Sequence, residues 1–227
     1  MAYDTKMKKI LLIGNSGGIG SALQSAWTSR GCEVTGLSRS HHGFEITDEI
    51  SVNRHLSKLN IQFDIIFIAT GGLSAANSKP EKSLSDLTQL FLQKQFLLNA
   101  AGPALILKHS KKLLRKDVTT IVAVLSARVG SIGDNRLGGW YSYRASKAAL
   151  NQIIHSAAIE LKRSHPKSIC VALHPGTVRT AMTEKYVGNN TSVSTDESAN
   201  NLLRVINHLK QDQTGLFFDW AGKRIEW

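Results

Sequence analysis

The stretch of sequence that decides the fold covers residues 8–20 and reads Lys-Lys-Ile-Leu-Leu-Ile-Gly-Asn-Ser-Gly-Gly-Ile-Gly. Its apolar first half predicts a buried β-strand, and apolar residues at helical spacing follow its glycines, at Ala22, Leu23, Ala26 and Trp27. Glycines let a backbone turn tightly and approach a ligand, while the first N–H groups of a helix attract anions. A strand, a glycine turn and a helix in this order therefore predict a dinucleotide phosphate site.

The rest of the chain repeats the alternation of strand and helix. Further strands are predicted at 32–38, 44–46, 63–69, 118–125, 168–173 and 216–220, and long helices at 84–116, 142–163 and 196–209. We expect a shorter helix after Thr47 as its N-cap, and a break in the first long helix near Gly102-Pro103. The alternation predicts an α/β fold with a single doubly wound, Rossmann-type parallel sheet of about seven strands and helices on both faces. No internal boundary is visible, so residues 1–227 are expected to form one domain.

Composition indicates a globular protein of the cytoplasm. Apolar residues make up 42% of the chain and charged residues 20%. No apolar run approaches 18 residues, so no membrane span is expected. The polar and basic start lacks the long apolar region of a signal peptide. The two cysteines, Cys32 and Cys170, lie in apolar strand-like segments and are interpreted as thiols of the core, which suits a reducing compartment.

Part of the net charge of +11 is concentrated at residues 108–116, Lys-His-Ser-Lys-Lys-Leu-Leu-Arg-Lys. One interpretation is a solvated helix end, where cations suit the C-terminal dipole. The other is a patch that binds an anionic partner, either nucleic acid or a membrane. The first is favoured, because charge is the only feature behind a nucleic-acid partner. Salt-dependent retention on DNA would separate the two.

A candidate catalytic pair lies at the start of the second long helix. Tyr143 and Lys147 are four residues apart, which on a helix puts both side chains on one face. A free phenol has a pKa of about 10, and a nearby cation lowers it, which makes the group useful as a general acid/base. The spacing alone is common. It gains weight from Ser126, at the end of a predicted strand, and from Pro175-Gly176 downstream.

The end of the second predicted strand bears on the choice of cofactor. Sites that prefer NAD usually place Asp or Glu there, whereas this chain has Ser38-Arg39. An arginine suits the 2′-phosphate of NADP(H), so NADP(H) is expected to be preferred, with NAD(H) as an option. The alternative is that Arg39 is an ordinary loop cation. Ligands of such sheets bind at the carboxyl ends of the strands, where Gly14, Gly71, Ser126 and Pro175 also lie.

Taken together, these motifs resemble the short-chain dehydrogenase/reductase family over nearly the whole chain. The family's glycine motif is matched by Gly14, Gly18 and Gly20, and its catalytic set by Asn99, Ser126, Tyr143 and Lys147. The resemblance implies a cofactor site formed by Gly14, Asn15, Ser16, Gly18, Ile19, Gly20, Ser38, Arg39, Glu45, Ile46, Ala69, Thr70, Gly71, Tyr143, Lys147, Pro175, Gly176, Val178 and Thr180. It implies no metal site.

The sequence of residues 126–135, 138–143 and 222–227 is similar to that of a C-factor-like subgroup of the family. Three departures concern the scaffold. Ile13 stands where the family usually has Thr, residues 68–71 read Ile-Ala-Thr-Gly in place of Asn-Asn-Ala-Gly, and the gap between Ser126 and Tyr143 is longer than is common. The longer gap should reshape one wall of the pocket.

The resemblance implies an NADP(H)-dependent oxidoreductase that interconverts a carbonyl and an alcohol by hydride transfer. Tyr143 would be the general acid/base, Ser126 would bind the substrate oxygen, and Asn99 would order a water beside Lys147. The partners would be a small carbonyl or alcohol substrate and further copies of the chain, as a homodimer or homotetramer. Residues 180–195 are polar and predict a loop that covers the substrate. The alternative is a cofactor-binding signalling or scaffold protein with weak or vestigial catalysis.

Overall fold

The structure is a computed structural model and describes residues 7–73, 79–187 and 192–227. One sheet organises it, with the strand order β2-β1-β3-β4-β5-β6-β7. The strands are β1 (Lys9–Ile13), β2 (Glu33–Leu37), β3 (Ile65–Ile68), β4 (Thr120–Leu125), β5 (Ser168–His174), β6 (Phe217–Asp219) and β7 (Arg224–Ile225). The first six are parallel, and β7 pairs antiparallel with β6. The predicted single sheet of about seven strands is confirmed, with one antiparallel edge strand.

Helices cover both faces of the sheet, as predicted. They are α1 (Gly18–Thr28), α2 (Arg39–His42), α3 (Glu49–Leu56), α4 (Gln89–Phe96), α5 (Gly102–Leu113), α6 (Tyr141–Ser164), α7 (Glu184–Val187) and α8 (Thr195–His208). Alternate residues of β1 serve different cores: Ile10 and Leu12 belong to the cluster with α1 and α8, Leu11 and Ile13 to the cluster with α3, α5 and α6. Because both faces are covered, β1, β3 and β4 are apolar apart from the first residues of β1 and β4.

The strand predicted at 44–46 is wrong. Phe44 and Ile46 are both buried in the core, but in an irregular segment that follows the left-handed Gly43, and the backbone N–H of Glu45 donates to the Ser51 hydroxyl rather than to a strand. The predicted Thr47 cap is also wrong by one residue. Asp48 caps α3 and accepts hydrogen bonds from the N–H groups of residues 50 and 51, at 3.0 and 3.2 Å.

The helix predicted at 84–116 is divided. A 3₁₀ turn at Leu84–Asp86 precedes α4, and a π-helical turn at Leu97–Ala101 joins α4 to α5, so the irregularity is centred on Asn99 and ends at the predicted break. Single π turns inside helices are frequent at functional sites. By length and composition alone, Gln89–Leu113 could cross a membrane, a test that core helices of soluble proteins also pass. This segment carries fully buried Gln95 and Asn99 and packs on α6.

Candidate active site

Tyr143 and Lys147 lie one turn apart in α6, next to the carboxyl end of β4. The Lys147 ammonium is 6.0 Å from the centre of the Tyr143 ring. It is almost completely buried and donates a hydrogen bond of 3.0 Å to the backbone carbonyl of Leu125, the last residue of β4. That bond ties the helix that carries Tyr143 to the strand that precedes Ser126.

Burial controls the protonation of both groups. It raises the pKa of Tyr143 to about 12 and lowers the pKa of Lys147 to about 8, because each charged form is poorly solvated there. The predicted lowering of the Tyr143 pKa by Lys147 is therefore wrong. At neutral pH Tyr143 is a protonated phenol, which is the form that a proton donor needs.

Ser126 directly follows β4, and its hydroxyl donates a hydrogen bond of 2.6 Å to the side-chain oxygen of Asn151. Both residues are buried. The sequence-based prediction missed Asn151. The signal was present, since Tyr143, Lys147 and Asn151 form a series at steps of four residues along one face of α6.

Asn99 lies within the π-helical turn and links three segments through its side-chain amide. Its oxygen accepts from the N–H of Gly72 at 2.9 Å. Its nitrogen has two hydrogens and lies within hydrogen-bonding distance of three acceptors, the Gly72 carbonyl, Gln95 and the Ser146 hydroxyl, at 3.0, 2.6 and 3.2 Å. The amide thus joins the segment after β3 to α6. The predicted role of Asn99 in ordering a water stays a prediction.

The glycine turn after β1 has the shape of an anion cradle. Gly14 has φ +90°, and its carbonyl accepts the N–H of Gly17 at 3.1 Å. A side chain at Gly20 would collide with the Gly14 carbonyl, so the close passage of turn and helix requires glycine. Within the part of the chain that the structure describes, the N–H groups of Gly18, Ile19 and Gly20 have no acceptor, and α1 has no side-chain cap. Free N–H groups at a helix N-terminus fit a pyrophosphate.

The other residues of the predicted phosphate site divide between the surface and the interior. Ser16 is exposed beside the turn. Asn15 is buried instead, where its amide donates to Gln24 at 2.8 Å and fills the space over Gly36, which has no room for a side chain. The side chain of Asn15 therefore packs against β2 and holds the glycine turn in place.

Two segments from other strands complete this edge of the sheet. After β3, Ala69 donates its N–H to the Ile13 carbonyl at 2.8 Å, and the methyl group of Thr70 lies against Gly14. Gly71 follows at φ +154°, where a Cβ would be 3.1 Å from both Asn99 Oδ1 and Lys147 Nζ. The structure thus brings the segment after β3 between the glycine turn and the candidate catalytic groups.

After β5 the chain passes over the start of α1. The Pro175 carbonyl accepts from Ser198, Gly176 at φ +82° lies against Trp220, and buried Val178 forms a bridge with Val193. The Cγ2 of Thr180 is 3.1 Å from where a Cβ at Gly18 would be, so Thr180 lies beside the free N–H groups.

The predicted covering loop, 180–195, contains α7; its residues 188–191 lie outside the described residues.

The predicted adenosine end contains an ion pair that the sequence-based prediction did not foresee. The guanidinium of Arg39, 82% exposed, lies 3.7 Å from the carboxylate of Glu45. Ser38 is buried, and its N–H donates to His42 at 3.1 Å. Ile46 is in the core, where Gly102 leaves room for it. A carboxylate is thus present beside Arg39, although it does not lie at the end of β2, where sites that prefer NAD usually place one.

Aromatic side chains lie beside the candidate catalytic tyrosine. Trp140 has a left-handed backbone (φ 51°), and its ring meets Tyr143 and Tyr186 edge to face, at 6.2 and 5.9 Å between ring centres. At the end of β5, burial and the neighbouring Arg128 lower the pKa of His174 to about 4, so this imidazole is neutral at physiological pH. An aromatic wall therefore borders Tyr143, and a neutral imidazole lies at the end of β5.

Comparison with known proteins agrees with this geometry. A family model described as enoyl-(acyl carrier protein) reductase matches residues 37–218. The C-signal protein of Myxococcus xanthus is 34% identical over 146 residues, which cover 64% of this chain and 84% of that protein. A 1-hydroxy-2-glutathionyl-2-methyl-3-butene dehydrogenase of Rhodococcus sp. (strain AD45) is 26% identical over 236 residues, which cover 97% of this chain and all of that protein.

Solved structures share the fold over nearly the whole chain. A Burkholderia multivorans protein assigned to the short-chain dehydrogenases/reductases, solved with bound NADP, has a TM-score of 0.82 and 25% identity and covers 98% of this chain and 100% of its own. The NADPH-bound carbonyl reductase from chicken fatty liver has a TM-score of 0.81 at 22% identity, with the same coverage. The sequence match, the sheet and the shared motifs lead to one conclusion: this chain belongs to the short-chain dehydrogenase/reductase family.

Proposed function

We propose that this protein is an NADP(H)-dependent oxidoreductase that interconverts a carbonyl and an alcohol, with Tyr143 as general acid/base. The observation that carries the proposal is a protonated phenol beside a buried ammonium that is fixed to the carbonyl of Leu125 at the end of β4. The free N–H groups at the start of α1 lie at the same edge of the sheet. A proton donor and an anion cradle at one edge suit hydride transfer to a carbonyl.

In the reducing direction each residue has a distinct task. A bound NADPH would supply the hydride. Tyr143 donates its proton to the substrate oxygen as that oxygen gains negative charge. We assign to Ser126 a hydrogen bond to the same oxygen, for which its hydroxyl must turn away from Asn151. The protonated Lys147 favours the phenolate left behind. Because the pKa of Lys147 is about 8, the ammonium form predominates at neutral pH.

The choice of NADP(H) over NAD(H) rests on Arg39 and on relatives. Among the residues that the structure describes, the exposed guanidinium is held only by a loose pair with Glu45, so it is available to a 2′-phosphate. The solved relative at 25% identity carries NADP. NAD(H) is retained as a weaker alternative cofactor.

Assembly, location and loop closure belong to the same proposal. We place the enzyme in the cytoplasm as a homodimer or homotetramer, acting on a small carbonyl or alcohol. Residues 180–195 cover the bound substrate. The aromatic ring of Tyr186, in that segment, already contacts Trp140 beside Tyr143, which supports this role.

A second function is favoured by one relative. The 34% identical protein from Myxococcus xanthus is named C-signal, so a signalling role with weak catalysis is the alternative. The two functions differ in their dependence on Tyr143. Signalling through cofactor binding would survive the loss of the phenol, whereas catalysis would not.

The test is Tyr143→Phe, with Tyr141→Phe as the matched control from the same helix. NADPH oxidation would be followed with benzaldehyde, hexanal and diacetyl, and NADP⁺ reduction with the corresponding alcohols. Tyr143→Phe should lower turnover at least about a hundredfold and leave the NADPH Kd within about threefold, while Tyr141→Phe stays near wild type. Near-normal turnover of Tyr143→Phe on a substrate of the wild type would refute the assignment.

A further inference from the structure

The turn just before α6 ends on a residue that does not suit its backbone. Gly138, Gly139 and Trp140 all have left-handed backbones, with φ values of 63°, 64° and 51°. Glycine adopts this conformation freely, whereas the Cβ of a tryptophan is crowded there. Among the residues that the structure describes, Trp140 is the one non-glycine residue with a positive φ. Strained backbones of this kind cluster at functional sites, so the indole ring of Trp140 is a candidate functional group.

Backbone contacts fix the place of this ring. The N–H of Trp140 donates to the Glu81 carbonyl at 2.6 Å, and the Trp140 carbonyl accepts the N–H of Arg144 at 2.8 Å. The Nε of Arg144 lies 3.1 and 3.0 Å from the carbonyl oxygens of Gly138 and Gly139, which share its one hydrogen. The turn is thus held both from a distant segment and from α6, and a side chain on it keeps its position.

The indole ring lies between two parts of the candidate site. Its centre is 6.2 Å from that of the Tyr143 ring and 5.9 Å from that of Tyr186, and it meets both edge to face, at 68° and 75°. Tyr143 is the proposed proton donor, and Tyr186, on α7, belongs to the segment proposed to cover the substrate. None of the three residues is fully buried, which leaves part of this aromatic wall open to a ligand. A group attached to a carbonyl that meets the Tyr143 hydroxyl is therefore within reach of the indole.

From the strained backbone and the place of the ring, we propose that Trp140 selects the substrate, in favour of carbonyl compounds with a flat aromatic group next to the carbonyl. Aryl aldehydes and aryl ketones have this chemistry. Aromatic rings pair edge to face or offset, and such pairs gain free energy beyond that of the buried area. The inference rests on the proposed function and names the substrate class of that site. The turn that carries Trp140 ends the long gap between Ser126 and Tyr143, which is where a reshaped pocket wall is expected.

A tryptophan that only packs against the start of α6 makes a different prediction. Its loss would shift Tyr143 and would lower the reduction of every carbonyl by the same factor. Loss of a selecting ring would instead penalise aromatic substrates more than others of the same size. Benzaldehyde and cyclohexanecarbaldehyde are a matched pair for this purpose, because each carries one carbon ring on an aldehyde and only the first ring is flat and aromatic.

The experiment measures kcat/KM for both aldehydes with NADPH in wild type, Trp140→Gly and Trp140→Phe. Glycine suits the left-handed backbone, so Trp140→Gly removes the ring without adding strain. We expect this variant to lower the ratio of kcat/KM for benzaldehyde to that for cyclohexanecarbaldehyde about fivefold, the effect of one aromatic pair. Trp140→Phe keeps an aromatic ring and should change the ratio less than about twofold. Trp227→Leu, which removes an indole stacked on Phe217, is the control and should keep the ratio of wild type.

Binding of unreactive analogues gives a readout that does not depend on turnover. Calorimetry on the complex with NADPH would compare the Kd of benzamide with that of cyclohexanecarboxamide. Trp140→Gly should weaken benzamide about fivefold relative to cyclohexanecarboxamide, while the Kd of NADPH stays within about threefold. Trp140→Asn replaces the glycine variant if that variant does not fold, because asparagine also tolerates a left-handed backbone.

An unchanged ratio in either measurement would overturn the inference and leave the proposed function intact, even if both aldehydes were reduced more slowly. A larger loss for cyclohexanecarbaldehyde than for benzaldehyde would do the same. If wild type reduces no carbonyl probe with NADPH, or if Tyr143→Phe keeps its turnover, the proposed function fails and the inference fails with it.

Discussion

The carboxyl group of Glu81 binds Ser142, the second residue of the helix that carries Tyr143. It accepts hydrogen bonds from the Ser142 hydroxyl and, at 3.3 Å, from the Ser142 N–H. The Glu81 carbonyl accepts the N–H of Trp140 at 2.6 Å. Glu81 is only 3% exposed and has no cationic partner among residues 7–73, 79–187 and 192–227. It therefore caps α6 from a distant segment, since no side chain caps it locally.

This contact predicts a large effect on stability. Glu81→Ala should lower the free energy of unfolding by about 2–3 kcal/mol, because a buried helix start loses its acceptors. Glu81→Gln retains an acceptor and should lose about half as much. Glu33→Ala, which removes an exposed partner 3.6 Å from Lys9, is the control and should lose less than about 1 kcal/mol. Urea denaturation measures all three, and equal losses for Glu81→Ala and Glu33→Ala would contradict the capping role.

Local patterns explain what could be predicted from the sequence. The glycine turn and the Tyr143–Lys147 spacing each lie within a few residues, so their geometry follows from strand and helix periods. Glu81 and Asn151 act across 61 and 25 residues of sequence, and only the folded chain brings them to their partners. The strand and helix periods of the sequence do not reveal contacts between residues so far apart in the chain.

Two errors have physical reasons of the same kind. Phe44 and Ile46 alternate with a polar residue, as in a strand, yet the left-handed Gly43 and the bond to Ser51 hold them in an irregular segment whose apolar side chains still enter the core. The direction of the Tyr143 pKa shift was mispredicted because burial outweighs the nearby ammonium, and burial depends on tertiary packing.

Burial of Lys147 predicts that stability rises with pH. Its pKa falls from 10.5 to about 8 on folding, so between these values the unfolded chain binds more protons than the native protein. The contribution of Lys147 to stability should therefore increase from about pH 8 towards 10.5, by at most about 3 kcal/mol. In Lys147→Met this rise should be absent, and the gap between variant and wild type should narrow as pH increases.

Urea denaturation of wild type and Lys147→Met from pH 7 to about pH 9.5 tests this prediction. Burial raises the pKa of Cys170 to about 12, but this group contributes equally to both curves, so their difference reports Lys147. Lys112→Met removes an exposed lysine from α5 and is the control. Parallel curves for wild type and Lys147→Met across the whole range would show that Lys147 does not titrate as its burial requires.

Exposed apolar side chains on neighbouring helices predict the assembly surface. Leu90 on α4, Phe96 at its end, Leu97 in the π-helical turn and Ile159 on α6 are all exposed, and α4 packs on α6. Copies related by closed symmetry would bury this surface.

Light scattering at micromolar concentration should give two or four times the mass of the chain. Phe96→Asp with Ile159→Asp should yield monomers, whereas Ile50→Asp, at an exposed site on α3, should not. A monomeric wild type would contradict the prediction.

The loose pair between Arg39 and Glu45 predicts that substitutions can either lower or raise the preference for NADPH over NADH. Hydrogen bonds to charged groups contribute roughly 1.5–3 kcal/mol, so one Arg39 contact to a 2′-phosphate corresponds to about a 10- to 150-fold preference for NADPH over NADH. Arg39→Ala should abolish most of that preference and leave NADH binding nearly unchanged. Glu45→Gln should increase it by a few-fold, because the carboxylate competes with the phosphate for the guanidinium and repels it.

The measurement is a fluorescence titration of both reduced cofactors into wild type, Arg39→Ala, Glu45→Gln and the control Arg30→Ala. Arg30 is an exposed arginine at the end of α1 that binds Asn200 and the Ala26 carbonyl, so its loss removes the same charge without touching the pair. If Arg39 acts only through net charge, the two arginine variants should weaken NADPH equally. If it binds the 2′-phosphate, only Arg39→Ala should change the ratio of the two Kd values. Equal affinities in wild type, or a preference for NADH, would show that Arg39 does not select the cofactor.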